Sequence, residues 1–599
     1  MPLKIGRAPQ DKRNRTVADL LVAQLVEAGV RHIYGIVGDS LNPVVDAVRR
    51  SNANGTGIEW VHVRHEEAAA FAAAAEAEIT GRLAVCAGSC GPGNLHLING
   101  LYDANRNNVP VLAIASHIPS AQIGTEFFQE THPDRLFVEC SVYSEMISSA
   151  KQAPRVINSA IHHAFAGPGV SVLTIPGDVA DLDADAAVSD VALPPSPPRV
   201  IPNADAVREL AEAIDAAEKV TIFAGAGVRG ARDEVLALAE KIAAPVGHSL
   251  RGKEWIQYDN PYDVGMSGLL GYGACQDAME GADLLLLLGT DFPYDQFLPD
   301  DVRTAQVDTD PAHLGRRTRL DLAVVGDVAE TLRLLLPQVQ ESRSRKFLDG
   351  KVKAHRKAMT GVVGAYTKNV EKAVPIHPEF VADQLDQLAG DDAVFTVDTG
   401  MCNVWAARYL TPNGRRRVIG SFKHGSMANA VPHAIGAAFA ARAAGDERDI
   451  IAMAGDGGLS MLLGELITIK AYDLPITVVL FDNATLGMVR LEMLVDGLPS
   501  FGTDSPEIDY AAIANGVGIP AQRVTDPKAV KSALSKALAT PGPSLVDVVT
   551  DPRALSIPPT ISAGQVRGFA AALTKEVLGG GMGEAVSMAR SNLRNVPRP

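Results

Sequence analysis

The sequence predicts an α/β protein in which three doubly wound parallel-sheet domains follow one another, with a C-terminal tail. Short runs rich in Val, Ile and Leu alternate with helical patterns in three separate stretches, as is typical of parallel sheets. A proline-rich segment at 193–198 interrupts this alternation after the first stretch. The chain has 599 residues, which is enough for several domains.

Composition and charge exclude several classes of protein. Hydrophobic residues make up 47% and charged residues 21%, which disfavours disordered and fibrous chains. The net charge of −15 repels phosphate backbones, so no nucleic acid partner is expected. No apolar window is long enough to span a bilayer, and the basic segment Met1–Thr16 lacks the apolar run of a secretory signal. Five scattered cysteines indicate a reducing compartment, so we expect a cytoplasmic protein.

The first predicted domain spans residues 17–182. Its expected strands are His32–Val37, Leu83–Ala87, Val109–Ala115 and Val170–Ile175. The domain closes within Asp181–Asn203, where prolines cannot donate to a sheet and therefore indicate an extended linker.

The second predicted domain spans residues 204–338. Its expected strands are Val220–Ala224, Leu284–Gly289, Thr304–Asp308 and Ala323–Gly326. The first of these leads into Gly225-Ala-Gly-Val-Arg-Gly230, which has the spacing of a dinucleotide-binding turn. The next strand region, Ala244–Leu250, ends without the acidic residue that the ribose of NAD requires, so this turn does not indicate a nicotinamide site.

The third predicted domain spans residues 376–551 and follows a charged stretch, Glu341–Lys372, that has a helical pattern. Its expected strands are Ala393–Val397, Ile450–Ala454, Ile476–Phe481 and Ser544–Val549. A helix is expected over Leu459–Ala471. The predicted tail, 552–599, completes the chain.

Two strands of the third domain end in residues that suit a metal and a phosphate. One ends in Gly455-Asp-Gly457, and the next ends in Asp482-Asn483. Carboxyl ends of neighbouring parallel strands share a crevice, so Asp456 and Asn483 can converge there. Their oxygens suit Mg²⁺, and the glycines allow close approach of a diphosphate. The structural alternative is a glycine-rich turn with a helix-capping aspartate.

This arrangement resembles the signature of thiamine-diphosphate enzymes, a Gly-Asp-Gly motif followed at a similar spacing by Asn. The resemblance implies that Asp456, Asn483 and the backbone oxygen of Thr485 hold Mg²⁺. In the first domain, Arg64-His-Glu-Glu67 matches the place where these enzymes keep a glutamate against the aminopyrimidine ring, which assigns that role to Glu66. The acid must carry a proton there, and the apolar run Ala68–Ala75 disfavours its charged form.

The same resemblance assigns further residues to the cofactor and the substrate. Gly88–Asn94 matches the Gly-Pro-Gly turn of the family, Gly425-Ser-Met427 matches the segment that keeps the cofactor bent, and Phe128-Gln-Glu130 matches a substrate-side motif. The residues expected to bind thiamine diphosphate are Glu66, Gly425, Ser426, Met427, Asp456, Gly457, Gly458, Asn483, Leu486 and Gly487. Those expected on the substrate side are Phe128, Gln129, Thr399 and Met488.

Longer segments resemble one branch of these enzymes, the quinone-reducing bacterial pyruvate oxidases. These segments are Cys86–Leu101, Leu250–Glu254, Tyr258–Met266 and Gly420–Ala430. The resemblance implies oxidative decarboxylation of pyruvate to acetate and CO₂ through a thiamine-bound enamine, with electrons passing to FAD and then to a quinone. It also implies homotetramers in which each thiamine site combines the first domain of one subunit with the third domain of another. The implied FAD-binding residues are Arg251, Ser267, Gly268, Leu269, Leu270, Thr290, Asp291, Phe292, Pro293, Tyr294 and Asp308.

Several alternatives stay open at this point. The chain could instead be a carboligase of the acetolactate synthase type, a non-oxidative 2-keto acid decarboxylase or a non-catalytic relative. Asp482, Thr399 and Met488 differ from residues common in the family, which leaves the preferred 2-keto acid open, and the sequence does not separate quinone from oxygen as acceptor. Asp308 also suits a turn before Pro311.

The tail contains an amphipathic helical pattern. Apolar residues recur at helical spacing, and arginines line another face. The apolar positions are Met582, Val586, Ala589, Leu593 and Val596. Such a helix either docks on its own protein or lies on anionic lipid, which would place the protein peripherally on the inner face of the cell membrane.

Overall fold

The computed structural model describes residues 15–184, 199–341, 344–361, 363–554 and Asn592. The proline-rich segment at 193–198, the helix predicted from Met582 and most of the basic N-terminal segment lie outside these residues. The described residues before 185, together with Ile435–Asp446, form one compact unit, and the other described residues form a second. Among the described residues, every helix is too short or too polar to traverse a bilayer.

The first unit contains a six-stranded sheet in the order β2-β1-β3-β4-β6-β5, in which all neighbours are parallel. The strands are β1 (His32–Gly35), β2 (Glu59–His62), β3 (Ala84–Gly88), β4 (Val111–His117), β5 (Tyr143–Met146) and β6 (Val170–Pro176). The helices are α1 (Val17–Glu27), α2 (Asn42–Ala53), α3 (Glu66–Thr80), α4 (Pro92–Asn107), α5 (Pro133–Leu136), α6 (Ala153–Ala166) and α7 (Gly177–Ala180).

Helices α3 and α4 pack closely because small residues line their contact. Most of α3 is alanine, and its residues from Ala68 to Ala75 are buried. A Cβ on Gly100 of α4 would lie 2.5 Å from the Cβ of Ala70, so a larger residue would force the two helices apart. This packing fixes the start of α3, where Glu66 lies.

The second unit contains two sheets, of which the first has seven strands in the order β10-β9-β8-β7-β11-β12-β13. Its neighbours are parallel except for the antiparallel pair β9 and β10. The strands are β7 (Val220–Ala224), β8 (Val246–His248), β9 (Asp263–Met266), β10 (Tyr272–Gly273), β11 (Leu284–Leu288), β12 (Arg303–Asp308) and β13 (Leu322–Val325). The helices are α8 (Ala204–Asp215), α9 (Arg232–Ile242), α10 (Lys253–Ile256), α11 (Cys275–Glu280), α12 (Val328–Leu335) and α13 (Lys346–Gly361).

The other sheet of the second unit has six parallel strands in the order β15-β14-β16-β17-β19-β18. The strands are β14 (Val394–Val397), β15 (Arg417–Gly420), β16 (Ile450–Gly455), β17 (Ile476–Asp482), β18 (Ala521–Val524) and β19 (Ser544–Val549). The helices are α14 (Pro378–Leu388), α15 (Met401–Tyr409), α16 (Ala430–Ala444), α17 (Asp456–Met461), α18 (Glu465–Ala471), α19 (Gly487–Val495), α20 (Tyr510–Val517) and α21 (Val530–Leu538). Of these, α16 begins in the second unit and belongs to the first unit from Ile435 onward. Three parallel-sheet α/β domains in series are therefore confirmed.

Two helix predictions need correction. The helix expected over Leu459–Ala471 is two helices, because the backbone leaves helical geometry at Leu462 before α18 begins. The helical stretch expected over Glu341–Lys372 contains the shorter helix α13, followed by a 3-10 turn at Val363–Tyr366. The charged sequence has a helical pattern, but few side chains of α13 are buried. Because most helical stability in proteins comes from packing, little stabilises a longer helix here.

Candidate functional site

Each sheet has a point where its strand order reverses direction, and there the carboxyl ends of two strands form a crevice. In the last sheet this point lies between β14 and β16. Asp398 follows β14, and Asp456 follows β16 as the first residue of α17. Both carboxylates are buried, with 2% and 4% of their residue surface exposed. The sequence predicted Asp456 at this edge but did not single out Asp398.

Buried charges surround Asp456. Burial and, to a lesser extent, the Asp482 carboxylate together raise the pKa of Asp456 to about 6, although the backbone N–H of Asn483 opposes the rise. Arg523 of β18 donates to Asp482 over 3.0 Å and to Asp547 over 2.5 Å. Burial raises the pKa of Asp547 to about 6 although this arginine opposes the change. One arginine thus links two of three neighbouring carboxylates.

The loop after β17 supplies the neutral oxygens of the predicted metal set. The Asn483 side-chain oxygen accepts from the Thr485 backbone N–H over 3.1 Å. The Thr485 hydroxyl donates to the Thr503 carbonyl over 3.1 Å, and the Thr485 carbonyl accepts from the Gly487 N–H over 2.9 Å. These bonds fix a turn beside Asp456. A carboxylate, an amide oxygen and a backbone oxygen are the donors that Mg²⁺ prefers, so the residues fit the predicted ion.

Glycines leave room in the predicted diphosphate cradle. A Cβ on Gly457 would lie 2.8 Å from Leu486 Cδ2 and 3.1 Å from Met427 Cε, so these three predicted residues lie together. A Cβ on Gly458 would lie 2.1 Å from Asp398 Oδ2, so a side chain has no space there. The Ser426 N–H donates to the Ser421 hydroxyl over 3.0 Å. Gly425 has a φ of 80°, which favours glycine.

The two substrate-side residues predicted in this domain lie close to the same crevice. Thr399 directly follows Asp398, and its buried hydroxyl has no hydrogen-bond partner among the described residues. Such a hydroxyl suits a bound polar group. Met488 lies at the start of α19 and packs partly buried against the core of this domain.

Glu66 begins α3 in the first unit and is 6% exposed. Its Oε2 lies 2.9 Å from Nδ1 of His96, which is on α4. A Cβ on Gly93 would lie 3.0 Å from Glu66 Oε1, so glycine leaves that oxygen accessible. The carboxyl group therefore has one oxygen bonded to a histidine and one beside a residue without a side chain.

His96 was not predicted from the sequence, although a signal was present. Gly93, His96 and Gly100 recur at spacings of three and four, which places them on one face of α4. That face contacts α3 through Glu66 and Ala70. His65, Glu66 and His96 also offer ligand atoms within 4.8 Å of one another. However, His65 Nδ1 accepts from the Glu67 N–H over 3.2 Å, so this nitrogen is engaged in capping α3.

The motif Phe128-Gln-Glu130 lies on an exposed loop. Phe128 is 78% exposed, and Gln129 has a φ of 63°. The Cys90 thiol donates to the Gln129 side-chain oxygen over 3.4 Å, which joins this loop to the turn after β3. An exposed phenylalanine at this position is available to another molecule.

The residues predicted to bind FAD follow the carboxyl ends of four strands of the middle sheet. Arg251 follows β8, Ser267–Leu270 follows β9, Thr290–Tyr294 follows β11, and Asp308 ends β12. Gly268 has a φ of 100°. Leu269 and Tyr294 are exposed, and the buried Asp291 Oδ1 has no hydrogen-bond partner among the described residues. Asp291 Oδ2 accepts from Arg316 over 3.0 Å and Oδ1 lies 3.9 Å from Arg317 Nε, so this carboxylate is paired with arginines. The exposed apolar groups beside it suit a flavin ring.

The contacts of the Gly225–Gly230 turn and of Asp308 have structural explanations in this sheet. A Cβ on Gly225 would lie 2.3 Å from the Gly289 carbonyl oxygen, and one on Gly227 would lie 2.6 Å from Gly289 Cα. These glycines therefore allow two strand ends to cross closely. Asp308 Oδ1 accepts from the Asp310 N–H over 3.0 Å and lies 3.2 Å from His313 Nδ1, so it does form the turn that its sequence also suggested.

Comparisons with known proteins agree with this architecture. Residues 15–136 match the N-terminal TPP binding domain of thiamine pyrophosphate enzymes, 207–335 match the central domain, and 398–548 match the C-terminal TPP binding domain. A putative thiamine pyrophosphate-containing protein of Bacillus subtilis is 35% identical over 94% of this chain and 96% of its own length. Pyruvate oxidase of Lactiplantibacillus plantarum is 32% identical over 90% of this chain and 89% of its own length. A probable acetolactate synthase large subunit of Methanocaldococcus jannaschii is 30% identical over 89% and 92%.

Proposed function

The chain belongs to the thiamine pyrophosphate enzymes, and from this premise we propose that it oxidises pyruvate to acetate and CO₂ with FAD and then a quinone as electron acceptors. The reaction is balanced as pyruvate, water and quinone giving acetate, CO₂ and quinol. Thiamine diphosphate, when bound, supplies the electron sink for loss of CO₂, and FAD accepts the electron pair. The single observation that carries the thiamine part is the grouping of Asp456, Asn483 and Thr485 beside the Gly457 cradle.

The chain's own residues have separate tasks in this proposal. The three oxygen donors would hold Mg²⁺, which would supply positive charge for binding the diphosphate. Glu66 holds the proton that is shared with pyrimidine N1′, and its burial keeps water away from that proton. Met427 supports the bend between the two rings of the cofactor. Thr399 and Gln129 orient the carboxylate and ketone of the substrate.

The oxidative part of the proposal is supported by the middle sheet and by one relative. The flavin residues follow four strands of one sheet edge, and pyruvate oxidase is similar over most of the chain. Acetolactate synthases are similar to nearly the same degree, so carboligation is the second candidate. We further propose a homotetramer and contact of the tail with anionic lipid.

The visible spectrum tests the reaction directly. The protein purified with thiamine diphosphate, Mg²⁺ and FAD is mixed with pyruvate without oxygen. We expect the flavin absorption to bleach and acetate to form, and a soluble quinone to restore the colour. Acetolactate formed without bleaching contradicts oxidation and favours the carboligase. Glu66→Gln serves as the control, because it should stop both bleaching and product formation.

A further inference from the structure

The partner of Glu66 is the feature that the proposed function leaves unexplained. His96 Nδ1 lies 2.9 Å from Glu66 Oε2, and the imidazole of His96 stacks on that of His65 with centroids 4.3 Å apart. The glutamate side chain is 8% exposed, whereas the His96 side chain is 44% exposed. The contact therefore joins a buried acid to a group that reaches solvent.

The hydrogen bonds of the two histidines indicate which nitrogens carry protons. His65 Nδ1 accepts from the Glu67 N–H, so a neutral His65 carries its proton on Nε2. His96 Nδ1 faces a carboxyl oxygen, so a neutral His96 that donates there carries its proton on Nδ1. That donor serves Glu66 in both of its protonation states, since Oε2 accepts in each, and the bond is stronger when Glu66 is charged.

We propose that His96 is a positioning residue that donates from Nδ1 to Glu66 Oε2 and so holds Oε1 ready to share a proton with pyrimidine N1′ of thiamine diphosphate. This inference rests on the proposed function, because it requires Glu66 to meet that ring. The stack on His65 restrains the imidazole, and Gly93 keeps the space beside Oε1 clear. Loss of the histidine would remove this hydrogen bond, and the carboxyl group of Glu66 would then be freer to rotate.

A binding comparison isolates the bond to N1′. Binding of thiamine diphosphate with Mg²⁺ is measured by calorimetry beside binding of the 1′-deaza analogue, in which a ring C–H replaces N1′. The ratio of the two dissociation constants reports the Glu66–N1′ bond alone, because both compounds share the diphosphate and the metal. We expect His96→Ala to reduce the wild-type preference roughly tenfold, the order of one hydrogen bond to a charged group.

Two further variants separate positioning from packing. His96→Asn puts an amide nitrogen where Nδ1 was, so it should restore most of the preference. Asn99→Ala is the matched control. Asn99 also joins α4 to α3, but its 2.7 Å hydrogen bond is to Glu67 and not to Glu66. We expect this control to keep the wild-type preference.

The outcomes distinguish the two proposals. Three results would overturn the role of His96 and leave the proposed function standing. The preference for thiamine diphosphate could stay at the wild-type value in His96→Ala, or it could fall as much in Asn99→Ala as in His96→Ala. It could also fail to recover in His96→Asn. A wild-type protein that binds neither compound, or binds both equally, contradicts the thiamine role of Glu66 itself.

Discussion

At the residue scale, the acid at the end of β14 shows how burial sets a charge. Burial raises the pKa of Asp398 to about 6, and the backbone N–H groups of Ala430 and Gly455 oppose the rise. The Ala430 N–H donates to Asp398 Oδ1 over 3.0 Å at the start of α16. These hydrogen bonds offset only part of the desolvation, so Asp398 holds its proton more tightly in the folded chain than in the unfolded chain.

Asp398→Asn should therefore change how stability depends on pH. Between the ordinary value of 3.8 and about 6, the folded chain keeps a proton that the unfolded chain loses, so the free energy of unfolding falls as pH rises through this window. The asparagine variant lacks this loss. We expect the difference in unfolding free energy, variant minus wild type, to be about 2–3 kcal/mol larger at about pH 7.5 than at about pH 4. Urea unfolding at both pH values measures the difference, and a gap that stays constant contradicts the prediction.

The residues found from sequence and those missed differ in what defines them. Asp456 and Asn483 follow two neighbouring strands, so the local pattern predicts that they meet, and Thr485 was added by the resemblance to thiamine-diphosphate enzymes. Arg523 and His96 act through a partner far away in sequence. The spacing of Gly93, His96 and Gly100 indicates a common face of α4, but no local pattern specifies the residues that this face or Arg523 meets, because these depend on which strands and helices become neighbours.

At the element scale, most buried strands were predicted and most edge strands were not, although the edge strand β13 was predicted within one residue. The predicted Val220–Ala224 and Ser544–Val549 are β7 and β19 with the same bounds. Strands β2, β5, β15 and β18 flank their sheets, and most of their residues are only partly buried. A half-exposed strand has no continuous apolar run, so its sequence resembles a loop.

One of these edge strands is attached to the middle domain. Glu254 of α10 accepts from Arg417 Nε over 3.0 Å and from the Val418 N–H over 3.1 Å, at the start of β15. The Arg417 guanidinium also lies 4.9 Å from the centroid of the Trp255 ring. Because β15 leads into the segment with Gly425, this contact supports the predicted thiamine cradle.

Glu254→Gln should destabilise the protein strongly. The side chains of Glu254 and Arg417 are 9% and 11% exposed, and removing one charge leaves the other buried and incompletely compensated. We expect a loss of about 3 kcal/mol in the free energy of unfolding. The double variant with Arg417→Gln should lose less than the two single variants together.

The control for this prediction is a more exposed pair of the same kind. Glu234 accepts from Arg333 over 2.8 Å, but the arginine side chain is 50% exposed. Glu234→Gln should therefore cost at most about 1 kcal/mol. Equal losses in the two glutamine variants, measured by urea unfolding, contradict the argument from burial.

At the scale of the whole molecule, the predicted residues follow the architecture of three sheets. The clamp predicted from Asp456, Asn483 and Thr485 follows the ends of β16 and β17, next to the reversal point of the last sheet. The residues predicted to bind FAD follow strand ends of the middle sheet. Glu66 lies instead at the start of α3, after the edge strand β2. The fold therefore brings the clamp together by strand order, whereas Glu66 depends on the packing of two helices.

Mixing two inactive variants tests the proposed assembly. Glu66→Gln removes the acid and Asp456→Asn removes the metal ligand, so each variant alone should be inactive. If each site takes Glu66 from one subunit and Asp456 from another, a mixed pair of subunits has one site with neither substitution. Random reassembly makes about half of the pairs mixed, and half of the sites in each mixed pair are intact, so we expect about a quarter of the wild-type pyruvate oxidation rate.

The mixture is unfolded together, refolded and assayed, with each variant refolded alone as the control. A mixture as inactive as its components would show that both residues must come from one subunit, which would overturn the shared-site assembly.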